Sequence, residues 1–375
     1  MFKFREGTYG YNMLTMFAMC GEFPYHSLYM AEGEDRIVKR AVLNLKKEKY
    51  ITVVGKGQAK SIRLTKKGIE KLHEIDENME EHYLEMTDGH KYRGGKDAAT
   101  IVWRRHRIAE IMLMMKFIGA DVWTCEKPEL NINTQEKRID EDSIVYYTSR
   151  EIKNADKDQK HKTEFTRIMG MLFSPGGVYG IYNTNHGLIK WNTQGEAKAQ
   201  VLMEDIISFN YSQNLNSVDS CIMFGKDIDV ARRILESRGG PKDANNFEIL
   251  SFDNTYPNIH FIPIDGHGMY QLNLLIQANW HDAIKYSIFP ENYLDTEMLS
   301  IDCDAYDGAD KYILSFLDGN IGRLKRFKES MYGDAKHEVV CFDWQAEMVS
   351  QYAPGCTIKE VTEEKLSEMI RETFS

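Results

Sequence analysis

Apolar positions in the first 75 residues fall into a succession of short, distinct periods. Over residues 9–19, Tyr9, Met13, Met16 and Phe17 share one helical face and Gly21 ends the run, which predicts a first helix. Pro24 suits a first helical turn, so residues 24–30 are expected to form a second helix, closed by a turn centred on Gly33. From residue 35 to residue 49, Ile37, Val38, Ala41, Val42 and Leu45 recur at helical spacing and turn Arg36, Lys39, Arg40, Asn44 and Lys47 outward. The pattern then becomes extended: two β-rich runs, 50–54 and 61–65, flank the basic loop Gly55-Lys56-Gly57-Gln58-Ala59-Lys60. Thr65 stands where it can cap a further helix beginning Lys66-Lys67-Gly68.

Two helices, a turn, a third helix with a basic outer face and a hairpin follow the order of a winged helix-turn-helix. In that reading Arg36, Lys39, Arg40, Asn44 and Lys47 approach bases or phosphates in the major groove. Lys56, Lys60 and Arg63 of the wing reach the backbone or the minor groove. Charge sharpens the expectation. Residues 1–75 hold 14 Lys or Arg against 8 Asp or Glu, a net of +6, whereas the whole chain carries −10. A basic module is drawn to the phosphate array of duplex DNA while the acidic remainder is held away from it. Double-stranded DNA is therefore the expected partner, with homodimerisation as a way to double the footprint. The same module can also serve protein interaction.

Beyond it, residues 70–88 read as an acidic helix and 89–96 as a basic, glycine-bearing connector. The expected organisation is a winged-helix domain over 1–78, a linker over 79–97 and an α/β domain over 98–375 with a sub-boundary near 212–218. Residues 98–118 predict a helix with Ile101, Ile108, Ile111, Met112 and Met115 on one side and Arg104, Arg105, Arg107 and Glu110 on the other. Strands are expected at 143–148, 178–182 and 188–191, the last two as a hairpin through Asn183-Thr184-Asn185-His186-Gly187, and helices at 162–173 and 194–209. Strands at 220–224, 259–264, 312–317, 338–342 and 357–361 then alternate with helices at 227–237, 269–279, 320–330, 345–352 and 363–374. Such alternation defines a multi-domain α/β chain with a mostly parallel sheet covered by helices.

The apolar content of 42% is ample for folded cores, and no run reaches the length of a membrane span. Residues 1–5 lack the apolar core of a signal peptide, so the expectation is a cytoplasmic protein with no membrane partner. The six cysteines never form a CxxC pair, which points to reduced thiols and away from structural zinc. Ser149-Arg150-Glu151-Ile152-Lys153 places an E-x-K at the end of an expected strand, where Glu151 could hold a divalent metal and Lys153 could position water. That chemistry also needs an aspartate, with Asp121, Asp140 and Asp142 as the nearby choices. Asp265-Gly266-His267-Gly268 and Asp318-Gly319-Asn320-Ile321-Gly322-Arg323 follow expected strands, the second reading best as a helix cap. GxSxG and HExxH are absent.

Together these features resemble the replication-relaxation group of plasmids and integrative elements of Gram-positive bacteria, most clearly over residues 11–72 through the recognition-helix pattern and the string Arg63-Leu64-Thr65-Lys66-Lys67-Gly68. The resemblance implies a DNA-binding accessory or regulatory factor for replication, transfer or transcription of a mobile element, with other element-encoded proteins as partners and a second domain similar, in part, to restriction endonucleases. No cofactor is expected under that reading. Two alternatives stay open: a Mg²⁺-dependent endonuclease using Glu151 and Lys153, and a ligand-responsive transcription regulator.

Overall fold

The computed structural model describes residues 8–374 except 19, 32–34, 79–97, 135, 157–162, 214, 216, 245, 251, 253–254, 290–295, 297–298, 300 and 332–334. The expected turn at Gly33 and linker at 79–97 lie outside the described residues. Contacts divide the chain into two compact units, Met1–Leu130 with Val145–Ala155, and Asn131–Ile144 with Asp156–Ser375.

The first unit opens with α1 (Tyr9–Ala18), whose Met13, Leu14, Met16 and Phe17 are buried. A two-residue strand β1 (Phe23–Pro24) leads into a 3₁₀ helix at Tyr25–Met30 and then α2 (Asp35–Lys47). The expected second α-helix is thus a strand followed by a 3₁₀ turn. Pro24 explains the difference, because at φ −66° and ψ 122° it sits in extended backbone as the helix cap. Strands β2 (Ile51–Val54) and β3 (Ser61–Leu64) form an antiparallel hairpin, and β1 adds to β3 in the order β1-β3-β2. Helix α3 (Lys66–His73) follows, with the Thr65 side chain accepting from the Gly68 amide as the cap.

Helix α1 packs on α2, α3 and β3, and α4 (Ala98–Phe117) packs on β1. Residues 98–130, expected beyond the connector, cluster with this first unit. Strand β4 (Val145–Thr148) and the short helix α5 (Ser149–Ala155) complete it.

The second unit repeats one topology along its length. Strands β5 (Gly170–Ser174) and β6 (Gly177–Asn185) make an antiparallel hairpin across Pro175-Gly176. After β6 come β7 (Lys190–Trp191), α6 (Thr193–Asn210), β8 (Ser220–Gly225), α7 (Ile228–Leu235), β9 (Glu248–Ile249) and β10 (Asn258–Pro263). β6, β8 and β10 are parallel neighbours in that order, while β7 and β9 pair separately. The helix expected over 162–173 is instead a loop running into β5, and the strand expected at 188–191 pairs with β9 rather than folding back on β6. The Pro175-Gly176 corner makes residues 170–185 the hairpin, and the backbone there runs close to α8 (Gly266–Leu275), where the Gly176 amide donates to the Ile276 carbonyl at 2.9 Å.

Past α8 and α9 (Trp280–Ile288), β11 (Ala305–Tyr306) and β12 (Lys311–Ser315) form a second antiparallel pair. Then α10 (Ile321–Glu329), β13 (Lys336–Phe342), α11 (Asp343–Tyr352), β14 (Thr357–Val361) and α12 (Glu363–Phe374) follow, with β12, β13 and β14 parallel in sequence order. The helix expected over 269–279 is α8, which starts at Gly266 and ends at Leu275, and Asn279, in left-handed backbone at φ 54°, stands at the N-cap of α9. Each half is therefore an antiparallel pair extended by two parallel crossovers, and the single sheet expected from the alternation is two mixed sheets. A core of Leu274, Ile284, Ile288, Ile313, Leu317, Val340, Phe342, Val361 and Leu366 fills the second.

The halves meet at backbone level. Asp318-Gly319-Asn320 lies along the outer edge of β10, where Phe261 N–H donates to the Gly319 carbonyl at 2.9 Å and Ile259 N–H to Asn320 Oδ1 at 3.3 Å. Gly319 has φ +65°, and a Cβ there would lie 2.5 Å from the Phe261 carbonyl oxygen.

Candidate functional site

Helix α2 divides cleanly by face. Val38, Ala41, Val42 and Leu45 are buried against the rest of the first unit, while Arg36, Lys39, Arg40, Lys46 and Lys47 are exposed and Asn44 is half-buried. The hairpin that follows turns through Gly55 at φ +75° and a 3₁₀ turn, Gly57–Ala59. A side chain at Gly55 would put Cβ 2.3 Å from the Ala59 carbonyl oxygen, so the turn requires glycine there. Lys56 at the turn is exposed. Lys60 is half-buried, with its ammonium 3.6 Å from the centroid of the Tyr25 ring, a cation–π contact that holds the loop to the 3₁₀ turn.

Arg63 is positioned differently from the other expected DNA-contacting residues. Its guanidinium pairs with Glu22 at 2.7 Å, and Arg105 Nη1 donates to the same Glu22 oxygen at 3.3 Å. Glu22 and Arg105 are both buried. Two cations sharing one carboxylate tie β3 and α4 to the segment after α1. The outward face expected for Arg104, Arg105, Arg107 and Glu110 is thus only partly outward: Arg104 is exposed, but Arg105, His106 and Glu110 are buried.

His106 is fully enclosed, with Nε2 2.8 Å from Ser61 Oγ at the start of β3. Burial pushes its imidazole down to about 4, with the nearby His26 ring adding repulsion. His26 itself faces Glu110 at 3.4 Å. Helix α4 therefore carries a polar seam that anchors the hairpin, and local periodicity gives no sign of it, since Glu22 and Arg105 are far apart in the chain.

Glu151 and Lys153 lie on α5 and not on a strand. Thr148-Ser149-Arg150-Glu151 is a capping box: the Glu151 carboxylate accepts from the Thr148 amide and hydroxyl, each at 2.8 Å, and so starts the helix. Two residues apart on a helix point about 160° away from each other, so the shared strand face that the E-x-K reading needs is missing. The partner of Glu151 is Lys127 instead, at 2.9 Å. The Lys127 ammonium is buried and also donates to the carbonyls of Val122 at 3.0 Å and Tyr146 at 2.5 Å. Burial holds its pKa below the ordinary lysine range, opposed by the Glu151 carboxylate.

These groups border a cleft of about 380 Å³ that Cys125, Glu129, Tyr147 and Asn154 also line. Of the two carboxylates that line this cleft, Glu129 and Glu151, the second is already matched to an ammonium, and Asp121 is exposed and joined to this segment through its carbonyl, which accepts from the Tyr146 amide. Glu151 and Lys153 are thus not arranged as the E-x-K reading requires.

In the second unit three histidines each face a carboxylate. His260 is 3.5 Å from Asp318, His267 is 2.8 Å from Glu363 and His281 is 3.3 Å from Asp304. Asp304 is buried and also pairs with Arg323 at 2.9 Å, and with His281 these groups line a pocket of about 10 Å³, room for one water. The Asp265 side chain caps α8 and the Asn320 side chain caps α10, as expected of a helix start. Among the described residues no group of three His, Cys, Asp or Glu is arranged to hold a metal ion.

Glu196, like Glu22, His106 and Lys127, is a group that sequence reasoning missed. It is fully buried at the start of α6 and accepts from Thr166 Oγ1 at 2.6 Å, the Arg167 amide at 2.6 Å and the Tyr182 hydroxyl at 2.9 Å. Burial still lifts its carboxyl to about 7. The five cysteines other than Cys125 are buried or half-buried, and Cys20 is pushed up to about 12 by burial. No helix among the described residues is long and apolar enough to cross a membrane.

No protein-family model matches the chain, and neither does any curated protein or solved structure.

Proposed function

We propose that the first unit is a winged helix that binds double-stranded DNA, with α2 as the groove-entering helix and the β2–β3 hairpin as the wing. The observation that carries this reading is the outward face of α2, where Arg36, Lys39, Arg40, Lys46 and Lys47 are all exposed in a chain whose net charge is −10. A surface helix needs no such concentration of one sign for its own stability, because like charges at i,i+3 and i,i+4 repel. Phosphates remove that repulsion, and the released counterions supply the binding free energy. Lys56 at the hairpin turn adds a backbone contact, and Arg63 acts by fixing the hairpin through Glu22 and not by touching DNA. The role that goes with this is an accessory or regulatory factor for replication, transfer or transcription of a mobile element.

Titrating the full chain into a labelled duplex over a salt series tests the proposal. Wild type is expected to bind with log K falling steeply with log salt, and Arg40→Ala/Lys47→Ala to lower that slope by about 2, at about 0.9 for each phosphate no longer neutralised. Absence of salt-dependent binding by wild type, or an unchanged slope in the double variant, would overturn it.

A further inference from the structure

One residue on the outward face of α2 is out of keeping with the others. Leu43 is 66% exposed, more than any other large hydrophobic side chain among the described residues. Single exposed leucines are ordinary; the position of this one is not. At 100° per residue, Arg36, Lys39, Arg40, Lys46 and Lys47 stand at i−7, i−4, i−3, i+3 and i+4 from Leu43 and lie within about 60° of it around the helix. Leu43 is therefore the apolar centre of a ring of cations. The buried stripe of Val38, Ala41, Val42 and Leu45 is on the opposite side, so Leu43 does not extend the core. Ile37, the other exposed aliphatic residue of the helix, is about 120° away at the margin of the basic face.

A helix seated in a major groove meets phosphates along both rims and base edges at the floor. Long cationic side chains on the flanks reach the rims, and the short central side chain meets the floor. Most groups that base pairs offer in that groove are hydrogen-bond donors or acceptors, and the 5-methyl of thymine is the largest apolar one. Leucine has nothing to exchange with the polar groups and leaves them without partners, so it favours the step that presents a methyl.

Resting on the DNA-binding reading above, we infer that Leu43 is a specificity-determining residue that reads the 5-methyl group of thymine in the major groove. Its contribution is sequence discrimination, and the surrounding cations provide affinity that is largely independent of sequence.

The test starts from the sites that the full-length protein enriches from a random duplex pool. Each thymine of the enriched site is replaced in turn by deoxyuridine, which removes only the methyl, and wild type and Leu43→Ala are titrated on every duplex. Wild type is expected to lose about fourfold in affinity at one or two positions, which is about 0.8 kcal/mol, the transfer value of one buried CH₂. Leu43→Ala should bind the thymine and deoxyuridine duplexes at those positions equally well, while keeping the wild-type salt slope and far-ultraviolet circular dichroism. Equal methyl sensitivity in wild type and variant, or an enriched site whose thymines can all be replaced without loss, overturns the assignment of Leu43 alone. Failure of wild type to bind any duplex overturns the DNA-binding reading and this inference with it.

Discussion

The enclosed imidazole of His106 makes the first unit sensitive to mild acid, and the effect can be worked out from its surroundings. The ring is fully buried, it meets Ser61 Oγ at 2.8 Å and Trp103 edge-on at 5.6 Å, and its neighbour His26 adds positive charge when protonated. Its pKa is about 4 in the folded chain against an ordinary 6.5 once unfolded. Because the folded value is the lower one, stability is complete above pH 6.5 and is lost as the pH falls towards 4, where the unfolded chain takes up a proton that the folded chain refuses. Between pH 7 and pH 5 this single group costs about 2 kcal/mol, at about 1.4 kcal/mol for each pH unit between the two values.

His106→Leu removes the titration. It leaves the Ser61 hydroxyl with its bond to the Ala59 carbonyl at 3.1 Å, so the substitution itself is expected to cost only about 1 kcal/mol at pH 7. Hydrogen exchange of the β3 amides in the full chain, at several urea concentrations and corrected for the intrinsic pH dependence of exchange, reports the opening free energy of this unit without assuming that both units unfold together. Wild type should lose about 2 kcal/mol more than His106→Leu between pH 7 and pH 5. Equal losses in the two proteins would show that the imidazole is not held neutral by burial, and the argument would fail.

The second unit should respond in the opposite direction. Glu196 has its folded pKa near 7, above the ordinary 4.5, so its contribution is complete below pH 4.5 and is lost as the pH rises through 7, about 2 to 3 kcal/mol between pH 5 and pH 8. Exchange of the β6 amides in Glu196→Gln should lack that decline, since an amide can keep the Arg167 bond and donate to the Thr166 and Tyr182 hydroxyls; a decline as steep as in wild type would refute this. Glu151→Ala removes the α5 cap and the counter-charge of buried Lys127 and is expected to destabilise the first unit by about 3 kcal/mol, largely restored by adding Lys127→Met. Thermal unfolding of the three proteins checks this, and a Glu151→Ala variant as stable as wild type would mean that the pair is not held in the fold.

Where sequence and structure agree, local chemistry was sufficient. Thr65 before Lys66-Lys67-Gly68 marks a helix start because a threonine hydroxyl can accept from the Gly68 amide, and the alternation from β8 onward follows from apolar runs separated by capping residues such as Asp227 and Asn320. Where they differ, a longer-range or competing term decided. The run Gly170-Met171-Leu172-Phe173 has no period that separates strand from helix, and only the Pro175-Gly176 corner with β6 makes it a strand. Glu151 was legible in two ways, as half of an E-x-K and as the last residue of Thr148-x-x-Glu151, and the capping box prevailed because it satisfies backbone donors locally. The basic face of α2 was visible from spacing alone. The burial of Arg105 was not, since Glu22, the carboxylate that makes it tolerable, is 83 residues away and carries no local mark.

The contact of Asp318-Gly319-Asn320 with β10 bears on how the second unit avoids sticking to copies of itself. An outermost parallel strand offers a row of unsatisfied amides and carbonyls to any other strand, and β10, with Ile259, Phe261 and Ile262 buried, would be an adhesive one. The segment that closes this row belongs to the following half of the unit, and its closest approach depends on a residue without a side chain. The turn before α10 thus occupies edge donors of β10 that a further strand would otherwise use, and that cover is supplied by the other half of the unit.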